Sequence, residues 1–410
     1  VNAQGVAVVS LQENNHLVLV DVAKRQVVGH FSAGKVSLKD IDRKRNGVIE
    51  AVEAAADVPR EPDAVVWLDN ERFLTANEGD YKGGSLGFSI FNTSGKVEYD
   101  SGNLLEHEAM RLGHYPEHRS ASKGGEPEGA EVATYGRDRL MFIAAERASL
   151  VFVFVDQGPG KAPRFLQALP TGTGPEGLLA IPSRNLFVAA SEVDGAARAG
   201  VMLYERGAKE PAYPTLVSSN SNGSAGLPIA WGAISGISAD RRQAERFWAV
   251  TDSVYSQTRL LQIDTNQRPA LIAQAITLTK DGRPAGYDAE GLAQRADGSF
   301  WVASEGDPDN KAGAVPNLLL RVSAQGEVQE EIRLPDELGK HATRFGLEGV
   351  TVTGEGATEA VWLAVQPLDM RSGAEAALAR VVAVFGSARV HHAYCFANRR
   401  GDRMKILVHD

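Results

Sequence analysis

The sequence predicts an all-β chain assembled from repeats, and three observations carry that reading. The 410 residues contain 42 glycines and only 7% aromatic residues. Short apolar runs are separated by Gly, Asn, Asp and Ser, a pattern of strands and turns rather than of long helices. One motif recurs along the chain. With 43% hydrophobic content the length alone suggests two or three domains, unless repeats account for it.

The repeats are EPDAVVWLDNERFLTANEGD from Glu61, EPEGAEVATYGRDRLMFIAAER from Glu126 and GPEGLLAIPSRNLFVAASEVD from Gly174. They continue with GAISGISADRRQAERFWAVTDS from Gly232, DAEGLAQRADGSFWVASEGD from Asp288 and GLEGVTVTGEGATEAVWLAVQ from Gly346. Each holds an apolar strand, a polar turn, a second strand and usually a closing acid. Equivalent starts fall at Asp63, Glu128, Glu176, Ser235, Glu290 and Glu348. A third apolar strand follows: LVLVDV, LGFSIFN, LVFVFVD, GVMLYE, RLLQID and NLLLRVS. Three to four strands per unit at this period is the signature of β-propeller blades. The opening GVAVVSLQENN fits only the second half of a unit, so seven blades are expected, the first and last incomplete. SSNSNGSAG, Ser218–Gly226, reads as a loop between blades, with a linker between two domains as the alternative.

The formal charge of -9 gives the propeller no general attraction to nucleic acid or anionic membrane and favours cations, or anions bridged by them. The longest obvious apolar run, LVFVFV at Leu150–Val155, falls short of the ~18 residues of a membrane span. A soluble chain is expected. Val1 is not an initiator methionine and no charged-then-apolar leader is visible, so a processed chain or a fragment is expected. A single cysteine, Cys395, excludes an internal disulfide and reads as an inert, half-buried thiol.

Inner strands of a propeller line a common axis, so acids distant in sequence are expected to meet there. Asp63, Glu128, Glu176, Glu290 and Glu348, with Asp288, would form a ring of like charges that needs cations or protons. Oxygen donors without a His or Cys cluster suit Ca²⁺ rather than Zn²⁺. A second set closes the second strands: Glu13, Glu78, Glu146, Glu192, Asp252 and Glu305. It is expected either on the opposite rim or beside the same mouth. Either set could instead bind backbone amides in turns. A glycine follows the acid at Gly129, Gly177, Gly291 and Gly349, where close backbone approach would serve a ligand or a tight turn.

DRKRNGVIEAVE, Asp42–Glu53, resembles a calcium loop, but Lys44 stands at the third ligand position. A polar inter-strand loop is the expected reading. No Gly-X-Ser-X-Gly nucleophile motif is present around Ser235, and ATYGRDR and PTGTGPEG lack the features of a nucleotide-binding loop. Lys82, Arg147, Lys311 and Arg344, together with Arg60 and Lys123, are candidates to hold an anion, or are ordinary surface charges.

DAEGLAQRADGSFWVASE, NLLLRVS and GLEGVTV resemble the phytase-like propeller family, described by its esterase-like activity of phytase. LQENNHLVLVD, LTANEGD and EPEGAEVA are similar to related exported bacterial propellers with phosphatase-like or surface-anchoring descriptions. Together these resemblances cover about residues 1–366. They imply a secreted or periplasmic propeller and a calcium-dependent phosphoester hydrolase, with Asp288, Glu290 and Glu348 the best matches to the family pattern. A non-catalytic propeller for binding or surface scaffolding is the competing expectation.

From Pro367 onward there are seven Arg and Lys against four Asp and Glu. This segment starts as a helix and ends as short basic strands. Through VWLAVQPLDMRSG and FANRRGDRMKILVHD it resembles the small accessory protein of a bacterial insertion-sequence family. That resemblance implies a mobile element fused into the propeller gene, a seventh blade short of its outer strands, and inactivity as one expected consequence. A disordered or misfolded remnant is the favoured expectation for this tail; Arg399, Arg400, Arg403 and Lys405 form a small basic patch, for which nucleic-acid binding is the less favoured reading.

Overall fold

In the computed structural model the chain is described except at residues 80, 196–197, 221–225, 308–309, 311–312, 335–345, 354–359, 365–367, 370, 372, 386, 390–391, 398–403 and 410. It is nearly all β, built of many small sheets that are mostly antiparallel. It divides into two compact units, Val1–Trp231 and Gly232–Asp410. The division falls just after Ser218–Gly226.

In the first unit, β1 (Val6–Leu11), β2 (His16–Asp21) and β3 (Gln26–Ser32) form one sheet. A separate hairpin follows, β4 (Lys35–Ile41) with β5 (Glu53–Pro59). Next come a sheet of β6 (Val65–Trp67), β7 (Arg72–Asn77), β8 (Gly87–Asn92) and β9 (Val97–Asp100), and the helix α1 (Leu104–Leu112). Two more sheets are β10 (Pro127–Tyr135) to β13 (Arg164–Pro170), through β11 (Asp138–Ala145) and β12 (Leu150–Val155), and β14 (Pro175–Ile181), β15 (Leu186–Ser191) and β16 (Gly200–Glu205). A short strand, β17 (Leu216–Ser218), closes the unit. Strands pair in chain order, as short turns between antiparallel neighbours require.

Burial explains why the middle strands are the most apolar. β7 is buried along its whole length, and β11 and β12 nearly so, because sheets cover both of their faces. Leu74, Phe88, Ile90, Ile143, Phe152 and Phe154 form the main core, and α1 adds Leu105, Ala109 and Met110 to it. Gly113 ends α1 with φ +73°, donating its N–H to the carbonyls of Ala109 and Met110, a left-handed cap that glycine adopts without steric cost. The last strands, such as β3 and β13, are edges and alternate or lie exposed.

The second unit holds β18 (Ile234–Ala239), β19 (Arg246–Thr251), β20 (Arg259–Asp264) and β21 (Ala270–Thr277), which pair in chain order. The ribbon of β22 (Thr279–Lys280) and β23 (Arg283–Pro284) leads to a four-stranded sheet. That sheet consists of β24 (Ala289–Gln294), β25 (Phe300–Ser304), β26 (Leu318–Val322) and β27 (Val328–Arg333). Trp248, Val250, Leu260, Phe300, Val302 and Leu320 make its core. The described residues thus contain seven sheets of at least three strands.

The final sheet departs from chain order. β28 (Leu347–Thr353) and β29 (Ala360–Ala364) are its two edges, and β30 (His392–Ala397) and β31 (Met404–His409) lie between them in the order β28, β31, β30, β29. β31 runs parallel to β28, and β30 parallel to β29. The helix α2 (Ala374–Phe385) precedes this hairpin. The expected blade short of its outer strands is corrected here: the segment after 367 supplies two interior strands. Its side chains drive the insertion, since Ala393, Cys395, Ile406 and Val408 are buried with Trp301, Leu319 and Leu347. Cys395 is fully buried rather than half-buried, and burial pushes its thiol up to about 12, so it is inert at neutral pH.

Candidate functional site

One backbone irregularity recurs at the first strand of five sheets. The register shifts between Pro127 and Gly129, Pro175 and Gly177, Ile234 and Gly236, Ala289 and Gly291, and Leu347 and Gly349. The bulged residues are therefore Glu128, Glu176, Ser235, Glu290 and Glu348, the repeat starts. A bulge leaves its extra residue outside the ladder and re-aims its side chain. The following glycine serves a third purpose besides a ligand or a turn. A Cβ on Gly129 would lie 2.7 Å from the Glu176 carbonyl oxygen, and one on Gly291 2.7 Å from the Gly349 Cα. Neighbouring first strands pack backbone against backbone there.

Antiparallel pairing then settles where the second acidic set sits. The start of a first strand lies opposite the end of the second: Glu305 N–H donates to the Asp288 carbonyl at 2.7 Å, and Glu146 N–H to the Glu126 carbonyl at 2.8 Å. Both acidic sets lie at the same end of their sheets, and the opposite-rim alternative falls.

In the first unit, carboxylate oxygens of Asp63, Glu78 and Glu128 lie within 4.8 Å of one another. Cations accompany them. Lys123 Nζ is 2.6 Å from Glu78 Oε1, and Gln12 Nε2 donates to Glu78 Oε2 at 2.7 Å. Arg147 bridges Glu126 and Glu146, and Arg119 also pairs with Glu126. Glu128 is pushed up to about 8 by burial, then by its hydrogen bond to Glu146 and by the charges of Glu78, Glu146 and Glu176. Burial likewise raises Asp63 and Glu146. Protons, lysine and arginine together offset this cluster.

The second unit brings oxygens of Asp252, Asp288 and Glu290 within 4.8 Å of one another. Glu290 is pushed up to about 7 by burial and by Asp252, Asp288, Glu305 and Glu348. Glu305 is pushed to about 7 by burial and then by Asp288 and Glu348. Burial, with Asp252 adding to it, raises Asp288, and hydrogen bonds from Ser253 oppose the rise. Glu305 Oε1 is buried without a hydrogen-bond partner. Among the described residues no Lys or Arg pairs with Asp252, Asp288, Glu290 or Glu305. An unpartnered buried carboxylate oxygen and an all-oxygen donor set without His or Cys fit a hard cation of the calcium type.

The other candidates lie elsewhere. Glu13, Glu176 and Glu192 are exposed, and Glu176 reaches the first cluster only through its charge. Arg60 is buried on Asp100 and on the carbonyls of Ala33 and Lys35. Lys82 is exposed, its Nζ 5.1 Å from the centroid of the Tyr81 ring. Lys311 and Arg344, like Arg399, Arg400 and Arg403, lie outside the described residues. Asp42–Glu53 spans the loop joining β4 to β5 and the first residue of β5. There Asp42 accepts the N–H groups of Lys44 and Glu50, and Lys44 Nζ is 2.6 Å from Glu53 Oε1. Its oxygens are occupied. Ser235 Oγ donates to the Ala289 carbonyl.

Sequence reasoning missed Glu126, Gln12 and Ser253. Their signal was hairpin register, which places residues flanking a closing acid beside the start of the same repeat.

Residues 229–399 match the family model described as Phytase-like, esterase-like activity of phytase, a span that contains Asp252, Asp288, Glu290, Glu305 and Glu348 and runs past 367. Residues 81–159 match the model of a Choice-of-anchor I domain. No curated protein matches the chain. Among solved structures the chain is similar to hydrazine synthase from Kuenenia stuttgartiensis, with 11% identity, 77% of this chain and 73% of that chain covered, and a TM-score of 0.32. It is similar to a mitotic checkpoint complex chain at 9% identity, 86% and 81% coverage and a TM-score of 0.31. It is also similar to apo AztD from Citrobacter koseri at 14% identity, 82% and 70% coverage and a TM-score of 0.26. Likenesses at this level assign no activity.

Proposed function

We propose that this chain is a phytase-like, calcium-assisted phosphoester hydrolase, its seven sheets the blades of a propeller, working outside the cytoplasm. The observation that carries the reading is the second unit's acid cluster, in which like charges are gathered without a basic partner on Asp252, Asp288, Glu290 or Glu305. Such an arrangement is costly unless a cation or protons compensate it. Asp252, Asp288, Glu290, Glu305 and Glu348 are the residues that would hold the ion. Calcium, when bound, supplies neutralisation of phosphate charge and a more acidic water. The chain's own part is to hold the ligand oxygens on rigid strand ends. Glu290 and Glu305, both pushed up to about 7 by burial and neighbouring acids, hold protons in the metal-free site and release them when the ion binds. The phytase-like match over residues 229–399 supports the same reading.

The Choice-of-anchor I match over residues 81–159 favours a second reading, a calcium-binding propeller for surface scaffolding without catalysis. Hydrolysis of p-nitrophenyl phosphate separates the two. The hydrolase reading expects turnover that a chelator abolishes, calcium restores and Glu290→Gln lowers at least tenfold, roughly the loss that follows removal of one charged group. Calcium binding without turnover would transfer the assignment to the scaffold.

A further inference from the structure

The hairpin of β4 and β5 is an addition to the repeat. Between β13 and β14 the chain passes from one sheet to the next through residues 171–174, whereas between β3 and β6 it inserts this hairpin and its loop. Insertions in repeat proteins gather on one face and often form the binding surface. Here the hairpin walls a cleft of about 220 Å³ in the first unit, lined on its other sides by Lys82, Gly83, Gly84, Leu86, Ser120 and Ser122.

The cleft has an apolar floor of Leu38, Ile41 and Leu86 and a polar mouth containing Arg43, Lys82 and Asp57. Arg43 and Lys82 are exposed and form no ion pair among the described residues. The Tyr81 ring supports the Lys82 ammonium. Gly83 has φ +100° and is half-buried, and among the described residues its amide donates to no oxygen. A free amide beside two cations is a means by which proteins hold oxyanions. Asp57 supplies the complementary feature. It is a non-glycine residue with φ +54°, set in an irregularity of the hairpin where the register shifts between Val36 and Leu38. Bulges re-aim side chains, and a carboxylate at this mouth accepts a hydroxyl donor. The volume corresponds to roughly seven waters, more than an inorganic oxyanion fills.

We propose that this cleft binds a small hydroxylated organic anion, its phosphate or carboxylate group on Arg43, Lys82 and the Gly83 amide, and its hydroxyl on Asp57. The site is independent of the acid clusters and of the hydrolase reading.

Titration calorimetry on the full chain with EDTA present keeps calcium out of the measurement. The probes are inorganic phosphate, glycerol 3-phosphate and glycerate, the last two distinguishing phosphate from carboxylate as the anionic group. At least one hydroxylated probe is expected to bind in the millimolar range or tighter, and more tightly than inorganic phosphate. Lys82→Ala and Arg43→Ala should each weaken it about tenfold, the scale of one charge-assisted contact, and Lys82→Arg should retain it. Asp57→Asn should reduce the preference over inorganic phosphate. No binding by any probe would overturn the proposal, as would affinities unchanged in both alanine variants or a tighter fit for inorganic phosphate. All three positions are exposed, and thermal melts confirm that the variants fold.

Discussion

Glu128 and Glu290 occupy the same bulge in two different sheets, and burial raises both. Their surroundings separate them: Lys123 and Arg147 enter the acids around Glu128, while no lysine or arginine among the described residues pairs with Glu290. In the proposed site calcium would have to displace protons from Glu290 and Glu305, both pushed up to about 7, so its affinity should rise with pH through neutrality. Calcium titrations at about pH 5.5 and 8.5 check this; equal affinities would count against it. Glu106 lies apart from either cluster. It is 1% exposed, its Oε1 accepts the Gly125 N–H and its Oε2 is unpartnered. Burial pushes it up to about 7. The folded state therefore keeps a proton that the unfolded chain releases, and the associated stability is complete below the unfolded value and lost as pH rises towards 7. Glu106→Gln should flatten that slope and exceed the parent at pH 8 by up to about 3 kcal/mol. Urea melts at the two ends of the range read the difference, and parallel slopes would contradict the assignment. The acids themselves were legible in the sequence. Their pairing was not, because Arg147, Lys123 and Gln12 reach them from other strands and loops.

At the scale of elements, the acid-glycine step is where strand meets strand. A methyl group on Gly291 would meet the Gly349 Cα at 2.7 Å and the Val350 nitrogen at 2.8 Å, both backbone atoms that cannot turn aside. Gly291→Ala should cost about 3 kcal/mol. At Gly349 the nearest atom is the Lys405 Cε at 3.3 Å, the mobile end of a side chain, and the same change should cost less than about 1 kcal/mol. Chemical denaturation of the two variants tests the contrast, and equal losses would refute it. Alternation and turn residues made the repeated strands readable, since those signals are local. The helix α1 was missed, although Leu105, Ala109 and Leu112 recur at helical spacing and Gly113 caps it. Its short, charged sequence is stabilised mainly by burial against β8 and β17, as a helix of this length requires.

For the whole molecule, the repeat period anticipated a series of small sheets, and the described residues contain seven of three strands or more. It did not anticipate the last one. The parallel pairings of β28 with β31 and β29 with β30 join strands across long stretches of chain, and no local pattern encodes such partners. Removing residues 367–410 takes out both interior strands of that sheet and uncovers Trp301, Leu319 and Leu347. The truncated chain should melt at lower temperature and bind a hydrophobic dye; an unchanged melt would restore the tail as a dispensable appendage. The most direct measurement is a thermal melt of the full chain with and without millimolar calcium, in the parent, in Glu290→Gln and in Asp63→Asn. Ligand present at a hundredfold excess over its dissociation constant stabilises a native site by about 2.7 kcal/mol. A calcium-dependent rise in the parent and in Asp63→Asn, lost in Glu290→Gln, is the expected result. A rise absent from the parent, or surviving intact in Glu290→Gln, would contradict a calcium site in the second unit.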